Sequence, residues 1–287
     1  MNSTLLNGFY LATNNTIGPW SILDNPPTAD QENNANIIRS FFLNEGWTLE
    51  AICGMLGCMQ GESTINPAFI QATNRSRLPN AAASLTDVPN SVMQNFYREY
   101  YGDTRRAYAI GLIQWDGYSD RNGTPQQKLV AYAIENNANW WDGWLQLYRI
   151  RGEWQYDVNN NVHTFFNRVR VSGTYYDYTN YPTSTASPET LAAAWTYGVE
   201  RNAGGAGFRD DNARYFYDWF TGPTAPGIIN PVDFLLPLQA DPVLPPFDPT
   251  DPEGPDTPVD DTYIPAWLLM GFPENNTRKG INVWIRV

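Results

Sequence analysis

The sequence is poor in the side chains that bind metal ions and cross-link chains. Its 287 residues include one histidine, His163, and two cysteines, Cys53 and Cys58. A zinc site would need nearly all of these side chains, and their spacing is not that of a metal-binding motif. The two cysteines fall on one predicted helix and point in different directions, so buried thiols are expected and not a disulfide. The sequence therefore predicts no metal and no cofactor.

Basic residues and long apolar runs are also scarce. The chain has 18 Lys and Arg against 30 Asp and Glu, a formal net charge of −12 at pH 7. Nucleic-acid binding requires clustered positive charge, and no basic block is present. Apolar runs such as Ala266–Met270 are far too short for a bilayer, and the first residues lack the pattern of a signal peptide. We expect no nucleic-acid partner, no membrane span and no secretion signal.

The sequence does contain enough apolar material for one good-sized core. Hydrophobic residues make up 42% of the chain, and apolar residues recur at helical spacing between residues 30 and 222. One helix is predicted from Asp30, a suitable N-cap, to Gly46, and a second starts after Thr48 and continues beyond Met59. Further helical patterns begin at Pro125, Pro188 and Asp211.

Residues 104–118 change to a strand pattern. Ile110, Leu112 and Gln114 fall on one face of an extended segment, and Asp116-Gly117 closes it, which predicts a short β-hairpin. The predicted fold class is therefore α+β, mostly helical, with a small hairpin sheet.

The two ends of the chain differ from this predicted domain over residues 30–222. Residues 1–29, rich in Asn, Thr and Gly, predict an irregular, extended N-terminal arm. Residues 223–262 hold 11 prolines and 8 acidic residues without a Lys or Arg, which is typical of a stiff linker. Residues 263–287 end in the alternating segment Ile281–Val287, a strand that either pairs with another chain or folds back onto the domain.

One glutamate occupies an unusual place for a carboxylate. Glu62 lies at the end of the apolar helical run in "WTLEAICGMLGCMQGESTINPAFIQ", just before a turn. There it faces unpaired carbonyl groups and the negative end of the helix dipole, and partial burial acts in the same direction. These effects disfavour the ionised form, so the group is suited to carry a proton as a general acid. Taken alone, the position also fits a solvated helix-end residue.

Three segments together resemble the phage tail lysozyme family, in particular the lysozyme domain found at the tail tip of small Bacillus podophages. They are the segment around Glu62, "AIGLIQWDG", and "YGVERNAGGAGFRDDNARYFYDW". The similarity covers about residues 31–221. It implies a lysozyme-like fold that cleaves the glycan strands of peptidoglycan, with Glu62 as the catalytic acid.

The resemblance extends to residues that would contact the substrate. The second segment is similar to the lysozyme hairpin that lines the cleft, which makes Gln114 a candidate sugar hydrogen-bonding residue, with a place at the core edge as the alternative. Trp115 and Tyr118 are candidates for stacking on sugar faces. Tyr197 is the aromatic residue expected to approach the catalytic site.

A second carboxylate is the least certain part of the predicted site. Glycoside hydrolysis usually uses two, and Asp116 is the candidate. The family carries neutral residues in that stretch, so a single-acid mechanism, as in goose-type lysozymes or lytic transglycosylases, fits equally well. Glu200 is interpreted as structural, paired with Arg201, Arg209 or Arg214.

We expect from this resemblance a virion-associated muramidase that opens the cell wall when phage DNA is delivered. Its expected partners are peptidoglycan glycan strands and, through residues 1–29 and 223–287, other proteins of the phage tail tip. The alternatives are an endolysin, a lytic transglycosylase, or a non-catalytic tail-tip protein that binds glycan or serves as scaffold. A Cys-His amidase is disfavoured, because Cys53 and Cys58 fall among apolar helix residues.

Overall fold

The computed structural model describes residues 3–6, 8–12, 22, 26–70, 88–93, 107–117, 125–200 and 207–229. The helices are α1 (Ala29–Asn44), α2 (Leu49–Ser63), α3 (Pro125–Glu135), α4 (Gly143–Asn160), α5 (Pro188–Gly198) and α6 (Phe208–Thr221). The strands are β1 (Ser3–Leu6), β2 (Phe9–Ala12), β3 (Ala107–Ile110), β4 (Trp115–Gly117), β5 (Val169–Val171) and β6 (Thr174–Tyr176). Consecutive strands pair as three antiparallel hairpins. The fold is α+β and mostly helical, as predicted.

The N-cap of helix α1 lies two residues before the predicted cap, Asp30. Thr28 is the N-cap: its hydroxyl accepts a hydrogen bond from the Gln31 N–H, and the Gln31 side chain accepts one from the Thr28 N–H at 2.8 Å. Because these reciprocal bonds satisfy two free N–H groups, Thr28 displaces Asp30, which lies inside the first turn. The helix ends before Gly46, whose φ of +83° is the left-handed conformation expected after a helix.

Helix α2 forms the centre of the core and positions Glu62. Its N-cap is Thr48, as predicted, and its last residue is Ser63. Thr64 then adopts a left-handed conformation with φ of 54° and donates its N–H to the Gln60 carbonyl at 3.1 Å. The helix therefore continues beyond Met59, as predicted, and Glu62 lies in its last turn.

Three glycines allow two other helices to lie directly against α2. A Cβ at Gly54 would lie 2.8 Å from the backbone of Leu191 in α5, and one at Gly57 only 2.5 Å from the carbonyl oxygen of Arg209 in α6. A Cβ at Gly61 would meet the Phe208 ring at 2.7 Å. We call Gly54, Gly57 and Gly61 the glycine stripe. Because these residues have no side chain, the stripe lets α5 and α6 pack at short distance on α2, up to the end that carries Glu62.

The N-terminal stretch expected to be irregular contains the β1–β2 hairpin. Phe9 and Leu11 alternate with Tyr10 and are buried in the core, where Phe9 packs edge-to-face on Trp144 at 5.8 Å between ring centroids. Asn34 of α1 bonds the hairpin backbone twice, accepting from the Tyr10 N–H and donating to its carbonyl, both at 2.8 Å. Burial of two alternating apolar residues therefore orders a segment whose composition predicts a loop.

The chain after α6 turns back along α1 in a short segment, residues 226–229, which we call the C-terminal strap. The carbonyl groups of Pro226 and Gly227 accept hydrogen bonds from Arg39 at 2.8 Å and Asn36 at 3.0 Å. The Ile229 N–H donates to Ser40 at 3.0 Å. The first residues of the predicted linker thus pack on the helical domain.

The described residues all lie in one of two units into which the chain divides, residues 1–242 and 243–287. The predicted linker beyond residue 229 and the predicted strand Ile281–Val287 fall outside the described ranges. None of the helices described is long and apolar enough to cross a membrane.

Candidate active site

Glu62 presents a partly exposed carboxylate at the end of α2. Its side chain is 26% exposed, whereas the rest of the helix from Ala51 to Gly61 is buried. One oxygen, Oε1, accepts a hydrogen bond from Nη2 of Arg209. Arg209 belongs to the first turn of α6, so the close packing of α6 on the glycine stripe delivers this cation to the helix end.

The Arg209 guanidinium contacts a second carboxylate. Its Nη2 lies 2.9 Å from Oε2 of Glu200, the residue that follows α5 by two positions. The Arg209 side chain is 8% exposed and that of Glu200 is 6% exposed. One buried cation is therefore divided between a partly exposed carboxylate and a buried one. The sequence names Arg201, Arg209 and Arg214 as alternatives for pairing with Glu200; the structure shows the pair with Arg209, places Arg214 on Glu189, and does not describe Arg201.

Burial and the neighbouring charges alter the proton affinity of this pair. Burial, assisted by the Glu62 carboxylate, raises the pKa of Glu200 to about 8, although Arg209 acts in the opposite direction. Burial alone would lower the pKa of Arg209, but Glu200 and Glu62 outweigh it and raise that pKa. At neutral pH the guanidinium is charged and Glu200 mostly holds its proton.

The thiols of Cys53 and Cys58 are both on α2, the helix that carries Glu62. Sγ of Cys58 is 3.4 Å from both the Ala192 carbonyl and the Thr196 hydroxyl of α5. Both cysteines are free and buried, and burial raises the pKa of Cys53 and of Cys58 well above the ordinary thiol value. This disfavours the thiolate and opposes a nucleophilic role. Across the described residues no three His, Cys, Asp or Glu side chains form a group suited to a metal ion.

The turn of the β3–β4 hairpin is fastened to the end of α2. The Ser63 hydroxyl lies 2.8 Å from the Leu112 carbonyl, to which it donates, and the Gly111 N–H donates to the Phe69 carbonyl at 2.8 Å. Gly111 has φ of +78°, and a Cβ there would lie 2.8 Å from Oε1 of Gln146. The turn therefore needs glycine at this position.

Gln146 of α4 ties the hairpin turn to the loop that follows α2. Its side-chain oxygen accepts from the Leu112 N–H at 2.8 Å, and its NH₂ group donates to the Pro67 carbonyl at 2.9 Å. Gln146 is fully buried, so water does not reach its side-chain amide, and these hydrogen bonds satisfy the polar groups instead. The hairpin turn beside Glu62 is thereby fixed by a side chain from a separate helix.

The hairpin itself is confirmed, but its residues do not all lie as predicted. Gln114 belongs to the turn and not to an extended strand: its φ is 53°, it is 9% exposed, and its NH₂ group donates to the Gly111 carbonyl at 2.9 Å. Trp115 is 4% exposed, and its indole N–H donates to Glu153 of α4 at 3.3 Å. The sugar-stacking prediction for Trp115 is therefore corrected, because its ring belongs to the core.

The other predicted site residues are less fully described. Tyr197 is half-buried near the end of α5. The backbone of Asp116 belongs to β4, but its side chain falls outside the described part of the chain, as does Tyr118 entirely.

The contact between Arg209 and Glu62 was not predicted from the sequence. The two are 147 positions apart, so no local pattern connects them. The available signal was the stripe of Gly54, Gly57 and Gly61 on α2, which indicates a helix packed at very short distance.

Two comparisons with known proteins agree on a family. The phage tail lysozyme family matches the chain over residues 33–220. Morphogenesis protein 1 of Bacillus phage B103 is 32% identical to this chain over 119 residues, which are 37% of this chain and 25% of that protein. The chain thus matches a quarter of the length of this curated relative.

Proposed function

We propose, because this chain belongs to the phage tail lysozyme family, that it is a muramidase that cleaves the glycan strands of bacterial peptidoglycan with Glu62 as its general acid. The family supports a lysozyme-like function and peptidoglycan as the substrate. The assignment of the acid and of the bond is our proposal.

The observation that carries this proposal is the exposure of Glu62. The other side chains in the last turns of α2 are buried. Glu62, the acidic residue at that end of the helix, reaches the surface, where its side chain is 26% exposed. Arg209 contacts the Glu62 carboxyl group, and the next residue, Ser63, fastens the helix end to the hairpin turn. A carboxyl group at a helix end fixed in this way is suited to proton transfer at a defined position.

In the proposed reaction the glycosidic C–O bond breaks as the Glu62 carboxyl group gives its proton to the leaving oxygen. A water molecule adds its hydroxide to the sugar carbon, and its remaining proton restores the carboxyl group. Arg209 stabilises the carboxylate formed between these two steps, because an opposite charge in contact favours the ionised group.

The decisive experiment is mass spectrometry of the products released from purified peptidoglycan. Wild type is compared with Glu62→Gln and with a matched control, Glu50→Gln, which makes the same change in the first turn of the same helix. We expect reducing N-acetylmuramic acid ends from wild type and control and none from Glu62→Gln. Anhydro ends would instead identify a lytic transglycosylase. No product from wild type would favour a scaffold or glycan-binding protein.

The second carboxylate and the substrate contacts are tested with the same assay. Asp116→Asn at the wild-type rate would support a single-acid mechanism, and a large loss would support Asp116 as nucleophile or base. Gln114→Ala and Tyr197→Phe test the two predicted sugar contacts through the Michaelis constant.

We also propose that the protein is carried by the phage particle and acts from outside the cell. This rests on the tail lysozyme family and on the phage relative named as a morphogenesis protein. Residues 1–29 and 223–287 are the proposed contacts with other tail proteins. Mass spectrometry of purified particles tests it: presence of the chain supports a virion protein, and absence supports an endolysin.

A further inference from the structure

The Arg209 guanidinium lies between two carboxyl groups that differ in their access to water. Glu62 is partly exposed, and Glu200 is buried at 6% exposure with its Oε2 2.9 Å from Nη2 of Arg209. The glycine stripe fixes where the Arg209 backbone lies, because a Cβ at Gly57 would approach its carbonyl oxygen to 2.5 Å. The cation therefore cannot move far from either carboxyl group.

We propose that Arg209 and Glu200 are positioning residues for Glu62: Arg209 orients its carboxyl group, and Glu200 anchors Arg209 and controls how much of its positive charge Glu62 experiences. This inference rests on the proposed function of Glu62. The inference extends the proposed site from one acid, Glu62, to a unit of three residues. In this unit neither Arg209 nor Glu200 touches the substrate.

Glu200 interacts with both other members of the cluster. The titratable groups that face it are Glu62 and Cys58 from α2, Arg209 from α6 and Tyr181 from the segment before α5. Among these described groups Arg209 is the cation. A change in the charge of Glu200 is therefore felt by Glu62, both directly and through the Arg209 that the two carboxyl groups share.

The unit responds to pH in a defined direction. Below pH of about 8 Glu200 holds a proton, so the Arg209 charge acts mainly on Glu62. Above this pH Glu200 ionises and shares the cation, so less of the positive charge of Arg209 acts on Glu62. The activity of the wild type should therefore change where Glu200 ionises.

The first test is a pH profile of peptidoglycan cleavage by wild type and Glu200→Gln. The amide keeps the shape of the side chain but cannot ionise, so we expect similar rates below about pH 7 and loss of the change that ionisation of Glu200 produces near pH 8 in the wild type. Superimposable profiles would overturn the role assigned to Glu200.

The second test separates positioning by Arg209 from a structural role. Arg209→Gln should lower kcat by about 10²-fold, the usual effect of a misplaced catalytic group, with little change in KM. Arg209→Lys should recover part of this loss because it keeps the charge. The double variant Arg209→Gln with Glu200→Gln leaves no buried charge unpaired and covers the case in which the single variant does not fold. A normal kcat in a folded double variant would contradict the proposal.

A third measurement does not depend on activity. Carboxyl ¹³C NMR of the full chain with labelled glutamate should show Glu200 titrating near pH 8, lower by about 1–3 units in Glu62→Gln and higher in Arg209→Gln. Identical titrations in all three proteins would overturn the coupling. Coupled titrations in a wild type that cleaves no peptidoglycan would uphold the charge unit and refute the proposed function.

Discussion

The two ends of α2 carry the same side chain in opposite surroundings. Glu50 lies in the first turn, where the helix dipole favours a negative charge, and accepts a hydrogen bond from Tyr217 at 3.4 Å. Glu62 lies in the last turn, where the dipole opposes a negative charge, and is contacted by Arg209. One end is stabilised by the helix itself, and the other requires a cation supplied by a different helix.

This difference shows how a general-acid site can be built on a helix. At the N-terminal end, Thr48 caps the backbone, and the distant contact of Glu50 is a neutral hydroxyl, that of Tyr217, and not a cation. At the C-terminal end the glycine stripe, Arg209 and Glu200 all serve to hold a carboxyl group where the helix disfavours it. The end that is harder to stabilise is the one proposed to perform chemistry.

The sharpest contrast between the ends should appear in catalysis. We expect Glu62→Gln to lower kcat/KM by about 10²–10⁴-fold, the usual contribution of a general acid. Glu50→Gln should leave it unchanged, because this residue lies at the other end of the helix. Initial rates of peptidoglycan solubilisation measure both, and equal losses would show that the helix, and not its C-terminal acid, is what matters.

The cluster of Glu62, Arg209 and Glu200 at the C-terminal end of α2 should also make the stability of the protein depend on pH, whereas Glu50 at the N-terminal end should not. The folded pKa of Glu200, about 8, lies above its ordinary value of 4.5, so the stability it contributes is full below the ordinary pKa and is lost as pH rises to about 8. Glu200→Gln should remove this loss, which is on the order of a few kcal/mol. Asp210 contributes in the same direction in both proteins, since burial raises its pKa to about 6.

The measurement is the melting temperature by calorimetry between about pH 5 and pH 8. Glu50→Gln makes the same change of side chain in the first turn of α2 and should follow the wild-type curve. Parallel curves for wild type and Glu200→Gln would show that Glu200 does not keep its proton in the folded protein.

Gly57 should be the least replaceable glycine of the stripe. Its added Cβ would meet backbone atoms of Arg209 and Ala213, at 2.5 and 2.7 Å, whereas that of Gly61 would meet the edge of the Phe208 ring. A ring can rotate aside and a helix backbone cannot. We expect Gly57→Ala to lose about 1–3 kcal/mol of unfolding free energy and Gly61→Ala less. Urea unfolding tests the order, and the reverse order would contradict the packing described.

The smallest effects should come from the hydroxyl groups at the two ends. Thr48→Ala removes the N-cap and should lose about 1 kcal/mol without a change in kcat. Ser63→Ala removes the bond to the Leu112 carbonyl and should lose a similar amount, about 0.5–1.5 kcal/mol, together with activity, since the hairpin turn is released from α2. Equal activities in the two folded variants would show that fastening the hairpin turn to α2 is not needed for catalysis.

Local signals predicted the parts of the site that depend on neighbours in sequence. The Thr48 cap, the placement of Glu62 in the last turn of α2 and the β3–β4 hairpin all follow from capping, apolar spacing and turn residues. Thr28 was missed because Asp30 is a good cap by type, and only the reciprocal bonds with Gln31 favour the threonine.

Features that depend on distant contacts were not predictable in this way. Helix α4 was not predicted, because buried polar residues such as Gln146 interrupt its apolar pattern, and Gln146 finds its partners in the hairpin and in the loop after α2. The β5–β6 hairpin was also missed. The division of Arg209 between two carboxyl groups appears only when α5 and α6 pack together on α2.

The C-terminal strap determines where mechanical load enters the folded domain. Tension on the chain beyond residue 229 is met first by the hydrogen bonds that Ser40, Asn36 and Arg39 make with the strap. These bonds lie along one helix, so the force is carried into α1 before it reaches α6 and the cluster at Arg209. Pulling from that side therefore loads the hydrogen bonds on α1 first, and α1 is in turn bonded through Gln31 and Asn34 to the turn that follows Glu62.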